Sequence, residues 1–358
     1  MLQKKIFIRF KLYIFFLYFV LFFIKFSTIY VYGNTYKIVD LEISEPYGLN
    51  FNKQNIIDSA FQLAFKELIA KITIFEDNKK LNNTNLRLIK SLVDSFAIID
   101  EKFIDNKYFA KFDVDFNKKQ VLNYLERKNI FSSIPKEKKL FVIPILIDIE
   151  KKQISLFSEN PFYLNWNEKN EKYYLLKYIL PNEDLEDINI IKININNIED
   201  YSFNEIISKY DLKDYIIIIF SKDKKNLKTL SKLNFNNNLI ILNKIFLEVN
   251  FNEKKSLENV IKILKTNYEN HWKKINQINT SIKLTLTLSL DTKNYELISK
   301  FEKELSKLDL VSNYYIDHFS NETTIYKIIY NSAPDKFIRE IENIGFNLNT
   351  SYKVWRVQ

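Results

Sequence analysis

The chain has 358 residues, with 53 Lys and Arg against 44 Asp and Glu, and a formal charge of +9. It has no Cys, which excludes disulfides, thiolate zinc sites and cysteine nucleophiles. Its three Gly, at 33, 48 and 345, are too scattered for a phosphate-cradling loop, a dinucleotide turn or a Gly-x-Ser-x-Gly elbow, which argues against nucleotide enzymes and the common hydrolases.

Five of the positive charges, Lys4, Lys5, Arg9, Lys11 and Lys25, precede Gly33 with no acid among them, so the remainder carries a surplus of only four. There the short runs Lys136 to Lys139 and Lys222 to Lys225 are broken by Glu137 and Asp223. The clustered basic face that nucleic acid needs is missing, and no nucleic-acid partner is expected. Abundant Lys, Asn, Ile, Phe and Tyr beside three Gly and six Pro carry the imprint of an AT-rich genome, so composition by itself says little about function.

The chain opens with a basic start, a thirteen-residue apolar run from Leu12 to Ile24, and then Val31-Tyr32-Gly33. That order of charge, apolar stretch and small residue is the pattern of a bacterial export signal, with cleavage expected after Gly33 and a periplasmic mature chain. Thirteen helical residues reach about 20 Å, short of a hydrocarbon core of about 30 Å. Retention as a single-span inner-membrane anchor would have to bury Lys25, and membrane contact is expected only through this segment.

Residues 34–133 read as an N-terminal domain. Val39, Leu41 and Ile43 alternate with Asp40, Glu42 and Ser44, predicting a half-buried strand. Ile57, Ala60, Phe61, Ala64, Leu68 and Ile72 recur at steps of three and four, predicting a helix that buries this stripe. A second helix is expected from Thr84 to Ser95 with Leu86, Ile89 and Val93 inward. Ala97 to Ile104 and Tyr108 to Phe116 form a hairpin around Asp105-Asn106-Lys107, and a short helix from Lys118 to Arg127 closes the unit.

Residues 134–278 open with the nearly continuous apolar run Leu140 to Ile149, of the kind found in strands buried on both faces. Tyr215 to Phe220 and Leu239 to Val249 repeat that character, with a helical segment at Phe203 to Tyr210 between them. Tyr173 to Leu180 is compatible with strand or helix. A long helix, Lys255 to Ile275, carries Leu257, Val260, Ile261, Leu264, Tyr268, Trp272 and Ile275 on one stripe. Residues 279–358 give strand (Ile282 to Leu290), helix (Tyr295 to Lys307), strand (Val311 to Phe319), strand (Thr323 to Tyr330), helix (Pro334 to Ile344) and strand (Ser351 to Val357). Ser332 is placed to cap the second helix, with Asp335 three residues on and Gly345 past its end. The expected fold class is therefore α/β and α+β: an N-terminal α/β module, a central α/β sheet domain and a C-terminal ferredoxin-like βαββαβ domain.

Only two His occur, His271 and His318, and neither has a second His at ligand spacing. His271 is expected to be packed or at the surface beside Trp272, and His318 to be exposed at a strand end. The one notable carboxylate cluster is Asn182-Glu183-Asp184-Leu185-Glu186-Asp187. Asp184, Glu186 and Asp187 are the candidate ligands for a hard cation, or the candidate acids of a carboxylate-only hydrolase; the competing expectation is that they begin a helix, whose dipole favours negative charge. Tyr314, Tyr315, Tyr326 and Tyr330 are expected to pack in the sheet, since the glycine-bearing RNA-stacking motif is missing. No cofactor is expected.

Ile57-Asp58-Ser59-Ala60-Phe61 leading to Leu68-Ile69-Ala70-Lys71-Ile72-Thr73, then Tyr108 to Phe116, Leu140 to Ile147 and Leu180-Pro181 through Leu185-Glu186-Asp187, resemble an exported proteobacterial family carrying domain of unknown function 2066. The resemblance covers most of the chain after the signal and implies no catalytic residues. More loosely, the first region is similar to the N-terminal domain of the flagellar assembly protein T, and the middle to that of the Tol-system translocation protein B. Both imply interaction work in the envelope. The function expected is therefore a non-enzymatic periplasmic module that binds another envelope protein; the alternatives are a carboxylate-dependent hydrolase and a small-ligand or metal binder.

Overall fold

The computed structural model describes residues 35–49, 51–169, 171–279 and 282–358, so the export segment and Gly33 lie outside the described residues. The described residues form a mixed α/β protein with three sheets, divided into one compact unit of 35–284 with 330–334 and another of 285–329 with 335–358.

The first part of the larger unit contains β1 (Thr35–Pro46), α1 (Lys53–Ile72), α2 (Phe75–Leu81), α3 (Leu86–Leu92), β2 (Val93–Ile104), β3 (Lys107–Asn117) and α4 (Lys118–Arg127). The strands form an antiparallel sheet in the order β1-β3-β2. One face packs on Ala60, Ala64, Leu68 and Ile72 of α1. Asn52 caps α1 by accepting from the Gln54 amide at 2.8 Å. The hairpin is as expected: Ile104 pairs with Lys107, and Asp105 and Asn106 take φ of 49° and 54°, the left-handed pair of a type I′ turn.

The simple alternation expected for the first strand is broken. The pairing steps from Ile38↔Val114 to Leu41↔Phe112, so Val39 and Asp40 together oppose Asp113. Asp40 has φ 53°, and its amide donates to Asp113 Oδ1 at 3.1 Å. This bulge inserts one residue and turns Tyr36 and Ile38 inward with Leu41 and Ile43, while Val39 faces solvent at 47% exposure. Ile57 likewise sits at the margin, the buried stripe being led by Ile56. The helix expected from Thr84 to Ser95 stops at Leu92, because Val93 enters the ladder opposite Phe116.

The second part contains β4 (Lys138–Asp148), β5 (Gln153–Ser155), α5 (Pro161–Asn165), β6 (Leu176–Ile179), α6 (Leu185–Ile193), α7 (Asn204–Ile207), β7 (Tyr215–Asp223), β8 (Asn226–Phe235), β9 (Asn238–Phe246) and α8 (Lys254–Ile275). The sheet runs β5-β4-β7-β8-β9, with β6 also on β4. β4 is parallel to β6 and β7, and β7, β8 and β9 form an antiparallel meander. Alternation sorts the two faces: Leu140, Val142, Ile216 and Ile218 meet Leu257, Leu264, Tyr268 and Trp272 of α8, whereas Phe141, Ile143, Ile217 and Ile219 meet Ile191, Ile206 and Ile207 of α6 and α7. This is why Leu140 to Ile147 of β4 and Ile216 to Phe220 of β7 are continuously apolar.

Tyr173 to Leu180 resolves as a strand at β6. The run Leu239 to Val249 differs from its expected burial. β8, whose outer face carries Lys228, Lys232 and Asn234, lies between β7 and β9, and β9 is left at the sheet edge with Leu239, Ile241 and Ile245 at 57%, 55% and 61% exposure.

α8 buries its expected apolar stripe and, beside it, Lys265, Glu269 and Lys273 at one-turn intervals, at 1%, 2% and 5% exposure. The Lys265 ammonium donates to the Trp166 and Lys169 carbonyls at 2.6 and 3.3 Å and lies over the Trp166 and Tyr178 rings. Glu269 accepts from the Leu176 amide at the start of β6, at 2.8 Å. Lys273 donates to the Ala70 carbonyl in the last turn of α1, and Asn270 accepts from the Phe75 amide at 2.9 Å. Burial lowers Lys265 to about 8 and lowers Lys273, while burial raises Glu269.

The smaller unit is built from β10 (Leu284–Asp291), α9 (Tyr295–Leu305), β11 (Val311–Phe319), β12 (Thr323–Tyr330), α10 (Pro334–Asn343), β13 (Leu348–Asn349) and β14 (Trp355–Val357), in the sheet order β11-β12-β10-β14-β13. Phe301 of α9 is central, with Tyr326 and Phe346 ring centroids 5.9 and 5.4 Å away. Gly345 follows α10 at φ 88°, the left-handed position expected for it. The last strand is shorter than expected. Residues 351–354 are bends, and only Trp355–Val357 pairs, parallel to β10. Tyr326 is buried and donates to Glu302 at 2.6 Å, whereas Tyr315 and His318 are exposed.

Replacing Glu269 by Ala strips the acceptor from a buried β6 amide, so E269A should lose about 1 to 3 kcal/mol in urea unfolding. E269Q keeps an acceptor and should lose less. Because the folded state raises the Glu269 pKa, the buried carboxylate is a penalty at neutral pH that is relieved as pH falls toward the ordinary value of 4.5. Wild type should therefore gain on E269Q between pH 7 and about 5; a gap that does not change with pH would contradict the burial of charge at this site.

Candidate functional site

The acidic loop is assembled as a helix start. Asp184 has extended backbone and caps α6, its Oδ1 accepting from the Glu186 amide at 2.8 Å, and Glu186 and Asp187 occupy the first turn. The three acids converge on one cation. Lys209, from the single 3-10 turn Ser208–Tyr210 after α7, places Nζ at 3.3 Å from Asp184, 2.9 Å from Glu186 and 2.7 Å from Asp187. Hydrogen bonds to these acids, Asp187 first, hold the ammonium above its ordinary value, and the Glu186 amide followed by Lys209 holds Asp184 below its own. Asp187 is 1% exposed, so it is a buried, paired carboxylate and not a solvated one. Among the described residues no group of three His, Cys, Asp or Glu is arranged to hold a metal ion. Sequence reasoning found the acids but not Lys209, whose only signal was a basic residue in the adjoining helical segment.

His271 lies elsewhere. It is half-buried on α8, and burial followed by the charge of Lys274 lowers its pKa. It lines a cleft of about 190 Å³ with Glu76, Lys244, Asn267, Asn270 and Lys274. On the floor Ser231 and Tyr268 share a hydrogen bond of 2.6 Å, and burial pushes the Tyr268 phenol up. The charged side chains are mostly basic: Lys244 and Lys274 have no ion pair among the described residues, and Glu76 accepts from Asn270 Nδ2 at 3.2 and 3.4 Å. A neutral imidazole, amides and two ammonium groups can receive a carboxylate.

Two larger hollows are internally neutralised. The one of about 530 Å³ on the outer face of β1 and β3 pairs Glu42 with Lys111 and Asp100 with Lys102. The one of about 580 Å³ by the first turns of α8 pairs Lys169 with Glu258 and Lys262 with Glu171. The His271 cleft adjoins the β9 edge: Leu242, Asn243 and Lys244 form one of its walls.

No family model matches the sequence, and no curated protein matches it. Among solved structures, one titled only as an uncharacterized protein aligns with 39% of this chain and 91% of its own, at 6% identity and a TM-score of 0.16, too low to inform fold or function. Among the described residues no helix is long and apolar enough to cross a membrane.

The acidic loop makes an unequal prediction. D187A removes the buried member of the cluster and should destabilise more than either exposed neighbour, while Lys209 keeps Asp184 and Glu186 as partners. D184N and E186Q, at exposed sites, should stay close to wild type. Urea midpoints of the three variants distinguish this from a loop of equivalent solvated charges, in which all three would shift alike.

Proposed function

We propose that this chain is a non-enzymatic, exported protein of the cell envelope that faces the periplasm and binds another protein through the open edge of its central sheet. The observation that carries the reading is β9. Among the described residues this nine-residue strand pairs with β8 alone, in unbroken register, and presents Leu239, Ile241 and Ile245 to solvent. Protected edges use proline, bulges or rows of charge to discourage pairing. β9 has no Pro, no bulge and a single charged residue, Lys244. An exposed apolar row on an open edge marks a site for a covering partner.

The basic and apolar order of residues 1–33 supports the address, and the likeness to exported proteobacterial proteins supports the setting. The hydrolase and metal-binding alternatives draw no support from three acids that share Lys209. In the smaller unit the order β11-β12-β10-β14 supports a ferredoxin-like arrangement, from which the parallel pairing of β14 with β10 departs, because the chain reverses between β13 and β14 before it meets the sheet.

A photo-crosslinking residue at Ile241, in cells with an intact envelope, should give a discrete heteromeric adduct recovered from the periplasmic fraction. The same residue at exposed Lys255 on α8 should give none. Equal yields at the two positions, or no adduct at Ile241, would refute the reading.

A further inference from the structure

We propose that the partner supplies an extended segment of alternating apolar and acidic residues, which adds to β9 as a further antiparallel or parallel strand of the central sheet. This rests on the preceding reading of β9 as the interaction edge and adds the chemistry of the occupant.

A strand laid against β9 sends successive side chains to opposite faces of the sheet. On one face it meets the row Leu239, Ile241 and Ile245, whose exposure leaves apolar area to be covered. On the other face Ile240, Leu242 and Phe246 pack toward α8, so that set of incoming side chains arrives beside Lys244 and the His271 cleft. One face therefore asks for apolar groups and the other for anionic ones.

The charges around the edge have one dominant sign. Lys244 and Lys274, which line the cleft on the α8 side, have no ion pair among the described residues. Glu76, the only carboxylate among the residues that line the cleft, is already engaged by Asn270. Size argues against a drug-sized ligand. A volume of about 190 Å³ lies below the roughly 300 Å³ at which small-molecule pockets begin, and it suits one or two acidic side chains presented by a backbone held outside. A second copy of this chain is a poor occupant, because the sequence of β9, Asn238 to Phe246, has no acid. Self-pairing would bring a second Lys244 and no acid to the edge, leaving the basic cleft without a counter-charge.

The test uses three fluorescein-labelled, end-blocked nine-residue peptides: alternating valine and glutamate, alternating valine and lysine, and the glutamate peptide with a central proline. Fluorescence anisotropy against the secreted chain should show the glutamate peptide binding at least tenfold more tightly than either of the others. Its amide perturbations in NMR spectra should centre on β9. Raising salt from about 0.05 to 0.5 M, which shortens the screening length severalfold, should erase the preference over the lysine peptide without any mutation. K244E/K274E should reverse that preference. Equal binding of glutamate and lysine peptides, a proline peptide that binds undiminished, or perturbations away from β9 would overturn the proposal. If Ile241 still crosslinks a protein while the peptide preference is missing, the interaction edge stands and the acidic strand falls; if both fail, both readings fall.

Discussion

The larger unit depends on three charges that α8 takes out of water. Lys265, Glu269 and Lys273 occupy successive turns, and burying an ammonium or carboxylate without partners is severely unfavourable. Each is offset by backbone groups from a different segment. Lys265 gathers the Trp166 and Lys169 carbonyls, Glu269 receives the first amide of β6, and Lys273 meets a carbonyl in the last turn of α1, where the helix dipole favours a cation. The alternation in sign along the helix lets each charge ease its neighbour's burial. A helix that were only amphipathic would pack on the sheet; this one also fixes which loops and which neighbouring helix it meets.

Fixing α8 fixes the edge beside it. Ile72 and Ser133 are joined by a backbone bond of 2.6 Å, and Ile278 returns from the end of α8 to bond Ser132 at 2.8 Å. The α1 side of the unit and the central sheet are thereby tied at the foot of the same helix. His271 and Lys274 occupy α8 positions on either side of Lys273, so the basic wall of the cleft is set by the same contacts. On the opposite face, α6 and α7 reach over β4 and β7 and the Leu230 side chain of β8, and stop short of β9. The exposure of Leu239, Ile241 and Ile245 on that face is a consequence of how far those short helices extend.

Much of this was legible where one rule governed a segment. The hairpin at Asp105-Asn106, the helix Lys118–Arg127, the doubly buried β4 and the strands β11 and β12 follow from period, turn residues and caps alone. What escaped depended on partners distant in sequence. The β1 bulge needs Asp113 opposite Asp40, and no pattern within β1 announces it. β8 was invisible because its sequence, with Lys228, Lys232 and Asn234 outward and Thr229 and Ser231 inward, has low hydrophobic contrast; missing it made β9 read as a core strand. The acids at 184, 186 and 187 were evident, but Lys209 and the burial of Asp187 come from the packing of α6 against the turn after α7. Buried lysines on α8 read locally as an exposed flank.

The claim that α8 makes residues 35–284 one cooperative body is tested most directly by native-state amide exchange in increasing denaturant. The amides of Leu176 on β6, Ser133 and Ile278 at the foot of α8, and Ile216 in the core of β7 should converge on one opening free energy, because none of these segments can open without unpairing a buried group. If Ser133 exchanges through a distinctly cheaper opening that leaves Ile216 protected, the two parts unfold separately and α8 is not what joins them.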